Sequence, residues 1–520
     1  MADYERLDKL TALVIPREVI ERVPPRLCKE YKVFPLEETD VHLKLAMADI
    51  FNLAAIDDVQ FLIKPKKVKP VQAPAEEIDK MIMKHYGLGA SAMMADKPGS
   101  DNGAAQMTNE IGVAEDIDIQ EKSEDAAVVN FVKEMFAKAI QMRASDIHVE
   151  PMPGDLRVRF KVDGMLREIA VPQQLRRWKL AVISRIKIIS KMDIAERRMP
   201  QDGRIAMVSK GQDIDVRVSS IPTVHGESIA LRLLNKSSKV YTLEEDGFLP
   251  EILKTWRQLI KNQNGIILVT GPTGSGKSTT LYSALSEINT PEKKIVTVED
   301  PVEYQMTGVD QLQANEAIGL TFAVALRHFL RQNPNIIMIG EIRDGETAEI
   351  AMKASMTGHL VFSTLHTNDA CSAVTRIVDM GVEPFLVASN VRGVLAKRLA
   401  RKVCPDCKVA FSPDPEQLKA WGVPVAPGEQ VSFMKGAGCE TCNNEGILGR
   451  TGIHELFLMN ETLEALVIRK VITSDIKKAA RKFNFHTLRE DAWEKAKMGI
   501  IPVESVFQST MPDTDLASAS

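Results

Sequence analysis

The apolar positions of this chain change period several times, and each change marks an element or a boundary. Over Arg17–Val23 and Glu76–Tyr86 they recur at helical spacing. Short apolar runs such as Leu43–Met47 lie between and predict strands, so residues 1–87 read as one small α/β domain. From Leu88 to about Lys122 the periodicity stops. Gly, Ala, Ser, Asp and Met dominate there, as in Gly89-Ala90-Ser91-Ala92, and a stretch with so little to bury (88–122) is expected to be a mobile linker. Helical spacing returns with Val128, Val129, Phe131, Val132, Met135 and Ala139. Alternating runs follow at Asp146–Val149, Leu156–Phe160 and Asp213–Val218, with Asp163-Gly164 and Asp202-Gly203 expected as turns. This predicts a helix and a meandering antiparallel sheet over 123–235.

From about Tyr241 to Leu399 the rhythm becomes helix, buried strand, glycine loop, helix, strand, which predicts a parallel sheet wrapped by helices over 236–400. A cysteine-bearing insert (401–458) and a largely helical tail (459–520) complete the chain. Composition changes this picture little. Hydrophobic residues make up 44% and charged residues 26%, ordinary for a globular protein of several domains. A formal net charge of -4 supplies no general basic field for a polyanion, so no nucleic-acid partner is expected and a nucleic-acid translocase is the weaker alternative. No run approaches the roughly 18 apolar residues of a membrane-spanning helix. The start, Met1-Ala2-Asp3-Tyr4-Glu5-Arg6, has no signal-peptide character. A cytoplasmic chain without direct membrane insertion is expected.

The chemistry begins where Ile266–Thr270, an apolar β-rich run, leads into Gly271-Pro272-Thr273-Gly274-Ser275-Gly276-Lys277-Ser278 and then a helical pattern from Thr279 to Ile288. This matches G-x-x-x-x-G-K-[ST] in the strand–loop–helix context that gives the motif meaning. Glycines let successive backbone N–H groups approach phosphate oxygens, and the helix N-terminus adds its positive dipole end. Lys277 is expected to reach the β- and γ-phosphates of ATP. Ser278 is expected to offer its hydroxyl to Mg²⁺.

Hydrolysis also requires a group to orient or deprotonate water. Ile336–Ile339 is an apolar strand ending in Gly340-Glu341, which places Glu341 at the ligand-binding edge of such a sheet. A second run, Ile295–Val298, leads into Glu299, Asp300 and Glu303, further candidates for metal and water. In Gly358–Thr367, His359 and His366 flank an apolar strand, and either could donate to a γ-phosphate. Downstream, Cys404-Pro405-Asp406-Cys407 and Cys439-Glu440-Thr441-Cys442 are two knuckles, each able to present two thiolates to one tetrahedral Zn²⁺. Cys28 and Cys371 have no such partner pattern and read as buried small residues.

In order and spacing, Gly271–Ser278, Val298–Glu303, Gly340–Asp344 and Gly358–His366 resemble the Walker A, Asp box, Walker B and His box of the secretion ATPases, in the type IV pilus assembly and type II secretion branch. Ser145–Pro151 and Arg198–Arg204 resemble motifs of that family's second N-terminal domain, and the cysteine pairs its metal-binding insert. The resemblance implies an α/β protein: a RecA-like P-loop ATPase domain, an N-terminal α/β (PAS-like) domain, a further small N-terminal α/β domain with a docking or regulatory role, and a four-cysteine zinc insert. It implies a homo-hexamer with ATP between the P-loop domain and the second N-terminal domain of the same or a neighbouring subunit. Arg204, Arg217 and Arg232 then fall at positions of arginine fingers. Partners so implied are an inner-membrane platform protein and a cytoplasmic-ring adaptor. Asn333, Asn335 and Lys397 depart from the family's common residues, Asp for the first two and Gln for the third.

Overall fold

The computed structural model describes residues 5–86 apart from 12, 14 and 21, residues 111–113, and residues 123–512 apart from 173–177, 210, 236–240 and 424–430. The chain forms two compact units, Met1–Ser237 and Ser238–Ser520.

The first unit contains two separate cores. In the smaller, β1 (Val33–Glu38) pairs antiparallel with β2 (His42–Met47), and β2 runs parallel to β3 (Lys67–Gln72). Parallel neighbours need a crossover, supplied here by the helix Leu53–Ile63, whose first turn is capped where Asn52 Oδ1 accepts the Ala55 N–H at 3.1 Å. Phe34, Leu45, Val59 and Ile78 fill the space between sheet and helices.

The larger core lies under a seven-stranded antiparallel sheet in the order β4-β8-β9-β10-β5-β6-β7. Its strands are β4 (Ile111–Val113), β5 (Ala144–Met152), β6 (Asp155–Val162), β7 (Met165–Ile169), β8 (Gln201–Ser209), β9 (Gln212–Thr223) and β10 (Gly226–Asn235). Alternate residues such as Ile147, Val149, Val158, Phe160, Val216, Val218 and Leu231 point to one face and share a core with Phe131 and Phe136 of the helix Ser123–Gln141 and with Val182 and Ile186 of the helix Lys179–Ile189. Of the stretch expected as a linker, only residues 111–113 are described, as strand β4; the rest lies outside the described residues. The expected turn at Asp202-Gly203 is corrected: both residues lie inside β8, which pairs with β9 as far as Ser209 opposite Gln212. Glycine is needed at 203 for close approach, since a Cβ there would stand 2.4 Å from the Ser190 carbonyl oxygen.

The second unit is built on a sheet in the order β13-β12-β14-β15-β11-β16-β19, parallel except for the antiparallel pair β16–β19. Its strands are β11 (Gly265–Thr270), β12 (Ile295–Glu299), β13 (Val309–Gln313), β14 (Ile336–Ile339), β15 (Leu360–Leu365), β16 (Val391–Val403) and β19 (Ile447–Leu458). Strands β11, β12, β14 and β15 are buried at every residue, as a sheet covered on both faces requires. Period-two alternation divides their side chains between two cores: Leu268, Val298, Ile337 and Val361 on one face, Ile267, Val269, Met338 and Phe362 on the other. A two-stranded ribbon, β17 (Lys408–Phe411) with β18 (Phe433–Gly436), carries the cysteine segment, and four α-helices and a short 3-10 turn between Glu461 and Ser509 follow β19.

Candidate nucleotide and metal sites

Strand order decides which loops meet. Because β14, β15 and β11 are neighbours, the segments after their C-terminal ends, led by Gly340-Glu341, His366 and Gly271, share one edge of the sheet. The loop from Gly271 leads into the helix Lys277–Ile288, with left-handed φ at Gly274 (78°) and at Gly276 (84°), the residue preceding the helix. An L side chain would strain both positions. At Gly271 the constraint is also steric, since a Cβ would lie 2.4 Å from the Lys397 carbonyl oxygen.

Lys277 Nζ donates to the Gly271 and Pro272 carbonyls at 2.9 and 3.3 Å, folding the ammonium back over the loop. Burial lowers its pKa, and the Glu341 carboxylate opposes that shift. Ser278 is exposed at the first turn of the helix, while Ser275 Oγ is buried with no hydrogen-bond partner among the described residues. A buried hydroxyl without a partner inside an anion-binding loop is the feature an incoming phosphate oxygen would satisfy.

Glu341 is ion-paired with Arg343 and receives His366 Nε2 at 3.0 Å, leaving its side chain 17% exposed. Burial alone would raise its pKa; the Arg343 guanidinium and His366 outweigh it and hold the carboxyl below the ordinary glutamate value. Arg343 also lies 3.7 Å from Asp300.

The other acid candidates differ. Glu299 is the last residue of β12, not part of the loop after it, and is buried. One carboxylate oxygen accepts Thr297 Oγ1 at 2.6 Å and Gln311 Nε2 at 3.1 Å, and the other accepts the Tyr282 hydroxyl. Tyr282 belongs to the phosphate-loop helix, so Glu299 ties that helix to the sheet; burial and the Glu299 charge raise the Tyr282 pKa. Glu303 touches the same hydroxyl through its backbone N–H, at 3.3 Å.

The two histidines are separated. His359 precedes β15 and its carbonyl accepts the Gly265 N–H, the first residue of β11, at 3.2 Å. It stands at the opposite sheet edge from Gly271, roughly 17 Å away along a strand of this length, with Nδ1 against the Ala354 carbonyl and Thr357 Oγ1. Of the two histidines expected near the phosphate, only His366 lies at the sheet edge of the glycine loop, and the placement of His359 is corrected to the far edge.

In the first unit, β-sheet register aligns the three arginines. Arg204 is directly opposite Arg217, and Arg217 directly opposite Arg232. Arg232 is paired with Asp146 at 3.0 Å, and Arg217 Nε is buried without a hydrogen bond among the described residues. Sequence spacing alone gives no hint of this row, which depends on strand pairing.

The sulfurs of Cys404, Cys407, Cys439 and Cys442 lie within 4.8 Å of one another. The Cys404–Cys439 and Cys407–Cys442 separations are both 3.8 Å, about the edge of a tetrahedron whose centre is 2.3 Å from each corner, the zinc–thiolate distance. Backbone N–H groups of Gly438 and Gly446 point at Cys407 and Cys442 Sγ at 3.3 and 3.1 Å, the bonds that thiolates favour. The donor set and its spacing fit Zn²⁺.

A parallel sheet with a glycine phosphate loop at its C-terminal edge, flanked by a carboxylate on the second strand over, defines a RecA-like P-loop ATPase. The sequence profile of the Type II/IV secretion system protein family matches residues 121–508, and that of the MshEN domain residues 4–92. The chain belongs to the Type II/IV secretion system protein family. It is 43% identical over 494 residues to the type IV pilus assembly ATPase PilB of Thermus thermophilus, covering 94% of this chain but only 54% of that relative. To the type II secretion system ATPase E of Vibrio cholerae it is 40% identical over 512 residues, covering 96% and 99% of the two chains. The crystal structure of the pilus retraction motor PilT with ADP is similar at a TM-score of 0.50 and 24% identity, over 74% of this chain and 98% of that one, a likeness of fold. Among the described residues no helix is long and apolar enough to cross a membrane.

Proposed function

We propose that this chain is a hexameric motor whose ATP hydrolysis drives type IV pilus assembly, moving pilin subunits through an inner-membrane platform protein. The corresponding motor of a type II secretion pseudopilus is the second reading, favoured by the near-complete coverage of the Vibrio cholerae relative. The observation that carries an ATPase motor is the glycine loop, with its unpartnered Ser275 hydroxyl and exposed Ser278, sharing a sheet edge with Glu341 and His366.

In this reading the amides of residues 274–278 and Lys277 grip the β- and γ-phosphates, and Ser278 holds Mg²⁺, which neutralises phosphate charge. Glu341 orients and deprotonates the attacking water, and His366, bonded to it, responds to the γ-phosphate. Arg204, Arg217 and Arg232, from the same or a neighbouring subunit, face the transferred phosphoryl group. Like charges directly opposite across strands repel, and an anion shared by the row relieves that repulsion. Zn²⁺ bound by the four cysteines supplies folding free energy to a short segment. Residues 1–87 dock the ring on its cytoplasmic or membrane partners, 123–235 carry the arginines, 236–400 the engine, 401–458 the metal and 459–520 the closing helices. Placement at the cytoplasmic side of the inner membrane follows from the platform partner.

Deleting the gene, then imaging pili and assaying secreted enzymes, separates the two readings. Loss of pili with normal secretion supports pilus assembly, and the reverse supports secretion. Loss of neither removes both. Metal analysis should find zinc in the wild-type chain and its loss in Cys439→Ser.

A further inference from the structure

Behind the phosphate loop lies a buried ion pair made by residues outside the Gly271–Ser278 motif. Lys397, on β16, is 1% exposed, and Asp246, before the helix Pro250–Leu259, is 6% exposed. The two form a salt bridge. The Lys397 ammonium spends its remaining donors on Gly276, whose carbonyl it reaches at 3.1 Å, and on Thr280 Oγ1 at 2.8 Å. Thr280 in turn donates to Asp246 Oδ2 at 2.6 Å. All three ammonium protons are thus used, which is the condition for keeping such a charge in the interior. His454, opposite Lys397 on β19, stacks on Phe248 at 3.8 Å between ring centroids. Its Nε2 is 3.8 Å from Asp246, and burial keeps the ring neutral, so the aspartate's charge is balanced by the lysine.

The contact to Gly276 has a directional consequence. A peptide unit is planar and trans, so a carbonyl oxygen and the N–H of the next residue point in opposite directions. Held by Lys397 Nζ and, at 3.1 Å, by the Thr280 N–H of the first helical turn, the Gly276 oxygen points along the helix, which aims the Lys277 N–H the opposite way, back toward the loop. The β16 backbone reinforces this from beneath, with the Lys397 carbonyl oxygen against Gly271.

We propose that Lys397 is a positioning residue of the phosphate loop: neutralised by Asp246, it fixes the Gly276–Lys277 peptide plane so that the loop is shaped before nucleotide arrives. The claim rests on the reading of Gly271–Ser278 as the nucleotide site. A loop already in place loses less order on binding, so removing the brace weakens nucleotide binding more than it slows turnover.

The test uses the full-length chain in its assembled state, with Mg²⁺ and a fluorescent ADP. The double variant Asp246→Asn/Lys397→Met removes the brace without leaving a buried unpaired charge. Its Tm is expected near that of the wild type, with ADP affinity about tenfold weaker and KM for ATP raised similarly, while kcat per folded ring falls about twofold or less. A Thr280→Val variant, which keeps the ion pair and removes one acceptor of Lys397, is expected to weaken ADP about threefold. Wild-type ADP affinity in either folded variant overturns the proposal, as does a fall in kcat with KM unchanged. Lys277→Ala is run alongside. If it too binds ADP normally, the nucleotide site itself has been misplaced; if it alone loses ADP, only the positioning claim fails.

Discussion

Strands β12 and β14 are neighbours in one sheet, in register at Val298 and Ile339, and each is an apolar run leading into a glutamate at the same edge. The fates of the two acids differ. Glu299 is enclosed by neutral donors from its surroundings, Thr297, Gln311 and Tyr282, which occupy both carboxylate oxygens. Glu341, two residues beyond the end of its strand, meets Arg343 and His366 at the rim and stays partly open. A carboxylate saturated by neutral donors from the sheet and the phosphate-loop helix anchors an element, whereas one held at the rim can release a partner and accept a water instead. What separates the two is an offset of one residue in the sheet register, since Val298 pairs with Ile339 and Glu299 is thus level with Gly340, together with the identity of the facing side chains.

The contrast can be broken by substitution. Lys277→Ala should abolish measurable nucleotide binding and leave both glutamates without a reaction to influence. Glu341→Gln should lower kcat about a thousandfold at nearly unchanged Tm and ADP affinity, read by phosphate release. Glu299→Gln should do the opposite, costing about 1–3 kcal/mol of stability in denaturant titration, with kcat per folded chain within about tenfold of wild type. His366→Ala should reduce kcat roughly tenfold, and His359→Ala, at the far edge, should leave it within about twofold. The pH profile sharpens the same point. Because Arg343 and His366 lower the Glu341 pKa, the carboxylate persists as pH falls through the ordinary glutamate value of 4.5. The acid limb of kcat should lie below that value in folded wild-type protein and move up in Arg343→Ala. The stability from the Glu341 contacts is complete above 4.5 and declines as pH falls through the lowered value.

What could be read from sequence follows the same division between local and long-range causes. The strand–loop–helix around Gly271–Ser278 and the cysteine knuckles are written in consecutive residues, because backbone amides and thiolate pairs act over a few positions. The placement of His359 was not legible, since an apolar run flanked by histidines does not say which end faces the ligand until the parallel register of β11 and β15 is known. Gly203 resembled a turn residue because Asp-Gly pairs favour turns; its actual cause is the approach of Ser190. The Asp246–Lys397 pair joins residues 151 apart and could be found only in three dimensions. Asn335 accepts the Lys294 N–H through Oδ1 at 2.7 Å where β12 and β14 begin, a role an aspartate oxygen would fill equally well, so nothing in the structure explains that departure.

The most direct test is to load the Glu341→Gln protein with Mg²⁺ and ATP, isolate it from free nucleotide, quench in acid and identify what it carried. Intact ATP is expected on that variant, ADP on the wild type and nothing on Lys277→Ala. ADP on Glu341→Gln, formed as fast as on the wild type, would contradict it and transfer the hydrolytic role to another carboxylate.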